Sequence, residues 1–351
     1  TIDRGENMFY PDKTIAQGTL ARMALLKNDF TTAQEMAHDA RQGYPIMTPD
    51  QYLEGFSKVN QEWMWCPVMD PLGIYYYGFG NHHACNGHYV AETWGYSDSM
   101  DYGLYKELKA SDVRAQLYFG PLLIDIVPEM AEEFGITKED FFSEDVTLVT
   151  QWGISLTSTG NSPKGKNKAM WNFIKAYGDT FLSRRPKSIT PIYGLNKKGF
   201  SMGVHYKFQG LDDGYTSCWP PYMRASEMLL TEAEAAYHNH DLATAKACLQ
   251  ELMAKRDPNY SLPADADLLS EIYLQRRIEL WGEGHNWYDH KRWNVPIKRK
   301  EWNPNNLSES GSWPKAYTKD FPTEWMNGWR VAIPEREFTY NKEADRSLVG
   351  L

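Results

Sequence analysis

Nowhere does the chain hold the ~18 consecutive apolar residues that a membrane-spanning helix requires, so none is expected. No signal peptide stands out. No Lys/Arg-rich run occurs, and the net charge is -9. Nucleic acid and an anionic membrane face are therefore excluded as main partners, because both select clustered positive charge. Cysteine is scarce: Cys66, Cys85, Cys218 and Cys248 are the four, with no C-x-x-C spacing. Their spacing selects no pairing and so does not fix the redox compartment. Cys248 falls in a strong helical pattern and reads as a small buried hydrophobe. No H-E-x-x-H motif is present. The opening "TIDRGENMFYPDKTIAQG" has no initiator Met, and a mature or shortened chain is expected.

Aromatic residues, by contrast, are plentiful. They make up 14% of the 351 residues, with 13 Trp and 22 Tyr. Such rings suit a ligand with flat apolar faces and many hydroxyls, since Tyr and Trp add a polar handle. The plainer use, filling a loop-rich core, accounts for most of them. Hydrophobic residues at 42% can bury a sizeable core in one large domain or two ordinary ones.

Residues 14–43 read as a helical hairpin. Leu20, Ala24 and Lys27 share one spacing, Asn28-Asp29 breaks it, and Ala33, Met36, Ala37 and Ala40 resume it before Gly43. Residues 223–256 repeat the pattern: Asp241 aligns with Asp29, Leu242 with Phe30, and Ala245 with Ala33. Ala233 and Ala236 align with Ala21 and Ala24. This is tetratricopeptide-type spacing, in which each hairpin needs neighbours to cover its apolar face. Between the copies lies a long insertion, 57–221, rich in Gly, Tyr, Trp, Asn and Ser. Helices are expected near 121–135 and 168–176, and a short strand at "DVTLV". Residues 222–293 hold the second hairpin and a further helix. Residues 294–351 are Trp-rich and irregular, with Pro and Asn-Pro breakers that forbid a long helix.

In "RRIELWGEGHNWYDHKRW" (276–293) the spacing of Leu274, Ile278, Trp281, His285 and Tyr288 predicts one helical stripe. Gly282 and Gly284 would each cost ~1 kcal/mol inside a helix, so the close approach of another backbone is expected there. Glu283, His285, Asp289 and His290 include metal-ligand and acid/base types, but no three share a face. A buried network with Arg276, Arg277 and Arg292 is the favoured reading. In "HHACNGH", His82, His83, Cys85 and His88 lack a second ligand pair downstream. No metal and no other cofactor is expected.

The same stretch resembles the C-terminal signature of the SusD/RagB family. "YMRASEMLLTEAEAAY" (222–237) is similar to the preceding family helix, and "GTLARMALLKNDFTTAQEMAHDARQGYPIM" (18–47) to its earlier hairpin. "NGWRVAIPEREF" (327–338) is similar to the closing Pro-Ile-Pro segment, with Ala332-Ile333-Pro334 departing from it and the final Asn-Pro absent. The resemblance covers 14–340 apart from the variable middle. It implies a mainly α, SusD-like fold, with tetratricopeptide-like hairpins on one side and a loop-rich, aromatic-rich insertion on the other. It also implies a non-enzymatic outer-membrane lipoprotein of Bacteroidetes. Such a protein captures oligo- or polysaccharide for a SusC-like TonB-dependent transporter, while a few relatives take peptides. The family's lipidated N-terminal Cys and an N-terminal portion are not in this chain.

The resemblance places the binding site in the variable insertion. "PLGIYYYGFGNHHACNGHYVAETWGYSD" (71–98) is the best candidate. Tyr75, Tyr77, Trp94 and Tyr96 can stack on sugar faces at ~1 kcal/mol each. Asn81, His83 and Asn86 can bond hydroxyls, and Trp219 is a second candidate. Five such contacts sum to on the order of -4 to -8 kcal/mol, a millimolar-to-micromolar affinity. Neighbouring tyrosines in an extended segment alternate sides, so Tyr75, Tyr76 and Tyr77 cannot all face one ligand. Trp94 fits a ligand platform and a packing residue equally. A glycoside hydrolase would need paired carboxylates; Glu92, Asp212 and Asp213 show no spacing that links them, and no enzyme is expected.

Overall fold

A computed structural model describes residues 10–54, 56, 59–66, 100–142, 149–150, 153–154, 166–183, 205–208, 221–301, 303, 305–311, 315 and 318. In chain order the helices begin with α1 (Lys13–Leu26), α2 (Phe30–Ala40) and α3 (Pro49–Leu53), followed by strand β1 (Trp63–Trp65). Then come α4 (Tyr102–Tyr105), α5 (Leu123–Ile126), α6 (Pro128–Phe134), the short strands β2 (Val149–Thr150) and β3 (Gly153–Ile154), and α7 (Lys166–Ser183). Strand β4 (Met223–Arg224) leads directly into α8 (Ala225–His238), and α9 (Leu242–Met253), α10 (Leu268–Glu279) and α11 (Asn286–Arg292) follow. Sheet structure among the described residues is slight. Strand β1 pairs antiparallel with β4, and β2 with β3.

The two hairpins are built alike because the same residue types recur at the same places. Asp29 caps α2 by accepting from the Thr32 amide at 3.2 Å, and Asp241 caps α9 by accepting from the Thr244 amide at 3.1 Å. The residue before each cap takes the left-handed conformation, Asn28 at φ 59° and His240 at φ 62°. Ala33 and Ala245 are both fully buried, as are Ala21 and Ala233. Small side chains at those positions let the helix backbones approach closely.

Helix α8 is the axis of the stack: it packs against α2, α9, α10 and α1, and every residue from Ala225 to Ala236 is buried. Three of those residues are glutamates, and each secures a different neighbour. Glu227 accepts from Arg22 Nε of α1 at 2.6 Å. Glu232 accepts from Arg41 Nε, just past α2, at 2.6 Å. Glu234 accepts from Arg292 Nη2 of α11 at 2.7 Å and from Trp293 Nε1 at 2.8 Å. Pairing is what makes three buried carboxylates on one helix tolerable.

Two principal cores result. One is aliphatic and small-residue, formed where α1, α2, α8, α9 and α10 meet, with Met228, Leu229, Leu249, Leu252 and Ile272 at its centre. The other is aromatic, with Tyr52, Phe56, Trp63, Tyr105, Tyr118, Phe119, Phe173 and Phe208 fully buried. Many of the aromatic rings therefore serve as core.

Three local expectations change. The 121–135 helix is split in two because Pro128 starts a new helix at its first position. The 276–293 stretch is not one helix. Helix α10 ends at Glu279, and Gly282 (φ 77°) and Gly284 (φ 86°) turn the chain through left-handed conformations before α11. At Gly282 the close neighbour is a side chain rather than a backbone: an added Cβ would lie 2.5 Å from Phe208 Cε2. On α1 the inward line runs through Ile15, Gly18, Ala21, Ala24 and Leu25, while Leu20 and Lys27 face outward.

Candidate functional site

Tyr75, Tyr77, Asn81, His83, Asn86, Trp94, Tyr96 and Trp219 all lie outside the described residues, as do Glu92, Asp212, Asp213 and the His82–His88 stretch. What the structure does describe is the base from which their segments depart. Segment 67–99 leaves after Cys66, at the end of β1, and rejoins at Met100; both are buried. Burial pushes the Cys66 thiol up to about 12, so it is no nucleophile at neutral pH. Segment 209–220 leaves after buried Phe208 and rejoins at Pro221, just before β4. The described residues that flank the start of the first segment and the end of the second sit side by side. The Tyr222 amide donates to the Trp65 carbonyl at 2.9 Å, and the two rings meet edge to face with centroids 5.3 Å apart.

Beneath this junction lies a buried ionic network. Arg224 of β4 donates from Nη1 to Glu62 at 2.7 Å and to Glu279 at 2.8 Å, and from Nε to Glu283 at 2.8 Å. Glu62 also accepts from the Met47 amide at 2.7 Å and from the Ser226 hydroxyl at 2.6 Å. Glu279 accepts from Arg256 Nε at 3.0 Å and Arg114 Nη1 at 3.2 Å. Lys207 donates to Glu283 at 2.7 Å and to the carbonyls of Glu279 and Trp281, each at 2.8 Å. Asp112, at 2.7 Å from Arg114, closes the set.

Charges of both signs are equally represented here, so the interior carries no net charge from the group. Burial opposes ionisation of Glu279, but Arg256, Arg224 and Arg114 outweigh it and hold the carboxyl well below the usual range. Burial likewise opposes charge on Glu283, and Arg224 and Lys207 outweigh it. Lys207 falls the other way: burial brings it down to about 8 despite Glu283. Glu279 and Glu283 are pinned in their charged forms by arginine and lysine, so neither is poised to give or take a proton near neutrality. The network is suited to holding β1, β4, 205–208 and α10 in one arrangement. The expected partners of Glu283 change accordingly, to Arg224 and Lys207. Asp289 does pair as expected, with Arg276 Nε and Arg292 Nε, both at 2.8 Å.

Next to the junction is a cavity of about 450 Å³, walled by Leu25, Leu26, Trp65, Pro221, Tyr222 and Tyr288 and edged by Arg22, His285, Asp289 and Arg292. Its charged groups are also spoken for: Arg22 by Glu227, and Arg292 by Glu234 and Asp289. Burial lowers the His285 imidazole in spite of nearby Glu227, favouring its neutral form. Among the described residues no cluster of three or more His, Cys, Asp or Glu is arranged to hold a metal ion. No described helix is long and apolar enough to cross a membrane.

Sequence reasoning missed Glu62, Arg114, Lys207, Arg224, Arg256 and Glu279. Only Glu279 carried a signal: an acid at i-4 from Glu283, flanked by Ile278 and Leu280 at the end of an amphipathic helix.

The geometry can now be set beside known proteins. The SusD family model matches residues 34–344. A search of curated proteins finds no match. Among solved structures, a SusD-like carbohydrate binding protein from Bacteroides vulgatus is similar at 17% identity and TM-score 0.62, with 98% of this chain and 61% of that chain covered. A SusD superfamily protein from the same organism matches at 17% identity and TM-score 0.60, covering 96% of this chain and 59% of its own. Another, from Bacteroides thetaiotaomicron, matches at 18% identity and TM-score 0.59, covering 96% and 60%. The chain thus spans about three-fifths of the length of these structures. With the signature stretch, the mainly helical architecture and a family match across nearly its whole length, this chain belongs to the SusD family.

Proposed function

We propose that the protein is a non-catalytic, cell-surface glycan-capture protein. It binds oligo- or polysaccharide on the aromatic segment 71–98, with Trp219 as a further contact, and delivers it to a SusC-like TonB-dependent transporter in the outer membrane. A lipid on an N-terminal Cys beyond this chain anchors it there. The observation that carries the reading is the family match over 34–344. Supporting it are a fold neighbour described as carbohydrate binding and the rigid junction of β1 and β4 from which both aromatic segments depart. The described acids fit this role as well, since all those in the network are paired and none is placed as a general acid.

Isothermal titration of the purified protein against a polysaccharide panel tests the proposal. The expected result is saturable binding of at least one glycan, with dissociation constants between micromolar and millimolar. Incubation with the same glycans should release no new reducing ends. Binding to peptides and to no glycan would reverse the choice of cargo, and new reducing ends would make the protein an enzyme.

A further inference from the structure

The cavity beside the β1–β4 junction combines aromatic walls with polar groups that have no partner. Trp65 and Tyr222 meet edge to face with their planes 82° apart, so they form a right-angled corner. Trp65 stands two residues before segment 67–99, and Tyr222 two residues after segment 209–220. Tyr288, 63% exposed, adds a third ring to the lining. The volume of about 450 Å³ falls within the ~300–1,000 Å³ of small-molecule sites.

Arg22 uses Nε and Nη2 to hold Glu227 and the Tyr222 carbonyl, and among the described residues its Nη1 makes no hydrogen bond. The His285 side chain is only 18% exposed, stands 3.8 Å from Glu227 and makes no side-chain hydrogen bond among the described residues. Burial favours its neutral form, which offers one N–H donor and one acceptor nitrogen. The Tyr222 and Tyr288 hydroxyls are unbonded in the same sense.

Two kinds of occupant are disfavoured by this lining. A wholly apolar one would cut these donors and acceptors off from water and give them nothing in return. A charged one would enter a set that is already balanced. Arg22, Arg276 and Arg292 are matched by Glu227, Asp289 and Glu234, and Glu283 is held by Arg224 and Lys207. An uncharged ligand fits if it has C–H faces for the rings and hydroxyls that both donate and accept. A sugar ring has both.

We propose that this hollow is a second saccharide subsite, which takes one neutral sugar unit in the Trp65–Tyr222 corner and bonds its hydroxyls through His285, Arg22 Nη1 and Tyr288. It rests on the glycan-capture reading, and adds to it a subsite built on the scaffold and a preference for uncharged sugars. Because the corner residues flank the roots of both aromatic segments, one glycan can engage those segments and set a further unit here.

The test is isothermal titration of wild type, Tyr288→Ala, His285→Ala and Trp94→Ala. The probes are cello-, malto-, manno- and xylo-oligosaccharides of increasing length, with oligogalacturonate as the charged counterpart. For the neutral series that binds, Tyr288→Ala and His285→Ala should each weaken the longest member about fivefold, with melting temperatures unchanged. His285→Gln, which keeps a donor and an acceptor, should recover part of the loss; it also serves if His285→Ala folds poorly. Oligogalacturonate should bind more weakly than the neutral series, and binding of oligogalacturonate alone would overturn the proposal. A wild-type protein that binds no glycan would overturn it together with the capture reading. Binding that falls in Trp94→Ala but is equal in wild type, Tyr288→Ala and His285→Ala would overturn the subsite alone.

Discussion

Glu279→Gln removes one negative charge from the centre of the buried network and keeps the side chain's volume and one carbonyl oxygen. In the wild-type protein this carboxylate is fully buried and meets Arg224 at 2.8 Å, Arg256 at 3.0 Å and Arg114 at 3.2 Å. The substitution leaves three guanidinium groups in a dry interior with one carboxylate fewer to balance them. Breaking a buried pair by removing one partner costs ~3–5 kcal/mol, a large share of the ~5–15 kcal/mol that a folded domain possesses. Urea denaturation followed by tryptophan fluorescence reads the loss directly. The pH dependence supplies a second reading with a definite sign. Glu279 is held well below its ordinary 4.5 in the folded protein. Its stabilising contribution is therefore complete above pH 4.5 and fades as the pH falls toward the depressed value. The gap between wild type and Glu279→Gln should narrow in acid. A loss under ~1 kcal/mol at pH 7 would refute the reasoning, as would a gap that widens below pH 4.5. Either result would mean that water or relaxation satisfies the arginines without the carboxylate.

Lys207→Met should show a pH dependence of the same sign, displaced to an alkaline window. Lys207 drops from 10.5 to about 8, so between those values the unfolded chain binds a proton that the folded chain lacks. Wild-type stability should rise relative to Lys207→Met across that window, by up to about 3 kcal/mol; parallel denaturation curves at pH 7 and 10.5 check it, and a flat difference contradicts it. Gly282→Ala forces a Cβ to within 2.5 Å of the Phe208 ring at a φ of 77°, and should cost roughly 2–4 kcal/mol, read by urea midpoint; a neutral outcome would mean the turn can reshape. Trp94→Ala should weaken glycan binding about fivefold or more, the loss of roughly 1 kcal/mol of stacking, with little change in melting temperature. Glu283→Ala, which strips a partner from Arg224 and Lys207, should lower stability by a few kcal/mol; calorimetry and titration together would expose the reverse pattern as an exchange of scaffold and site.

The hairpins were legible because each copy repeats its own instructions. An aspartate stops one helix and caps the next, and alanines mark the close approach, at Asp29 and Ala33 as at Asp241 and Ala245. Periodicity failed where both answers were apolar. On α1 the eye selects Leu20, yet the inside is lined by Gly18 and Ala21 because close packing rewards small residues. It failed again past Glu279, where Trp281, His285 and Tyr288 keep helical spacing by accident across two left-handed glycines. Trp281 packs on Tyr118 and His205, while His285 and Tyr288 border the cavity. The charge network was out of reach for another reason. Glu62, Arg114, Lys207, Arg224 and Arg256 lie in five separate stretches, and nothing local says which acid meets which base.

That network bears on capture if the proposed reading is taken with its energetics. Contacts of ~1 kcal/mol each give useful affinity only if the rings are arranged before the ligand arrives, because ordering them on binding would cost as much as it returns. A leucine-filled base would be equally stable but tolerant of small shifts. A fully satisfied set of guanidinium–carboxylate pairs accepts one geometry and penalises others by leaving a charge unpaired. Arg224 joins Glu62, three residues before the end of β1, to Glu283 and through it to Lys207, one residue before Phe208. The base of segment 67–99 and the base of segment 209–220 are thus fixed to the same few charges. On the proposed reading, two aromatic segments that present rings to one chain of sugars would share a single footing, which would be a physical reason to bury so many acids and bases at their roots.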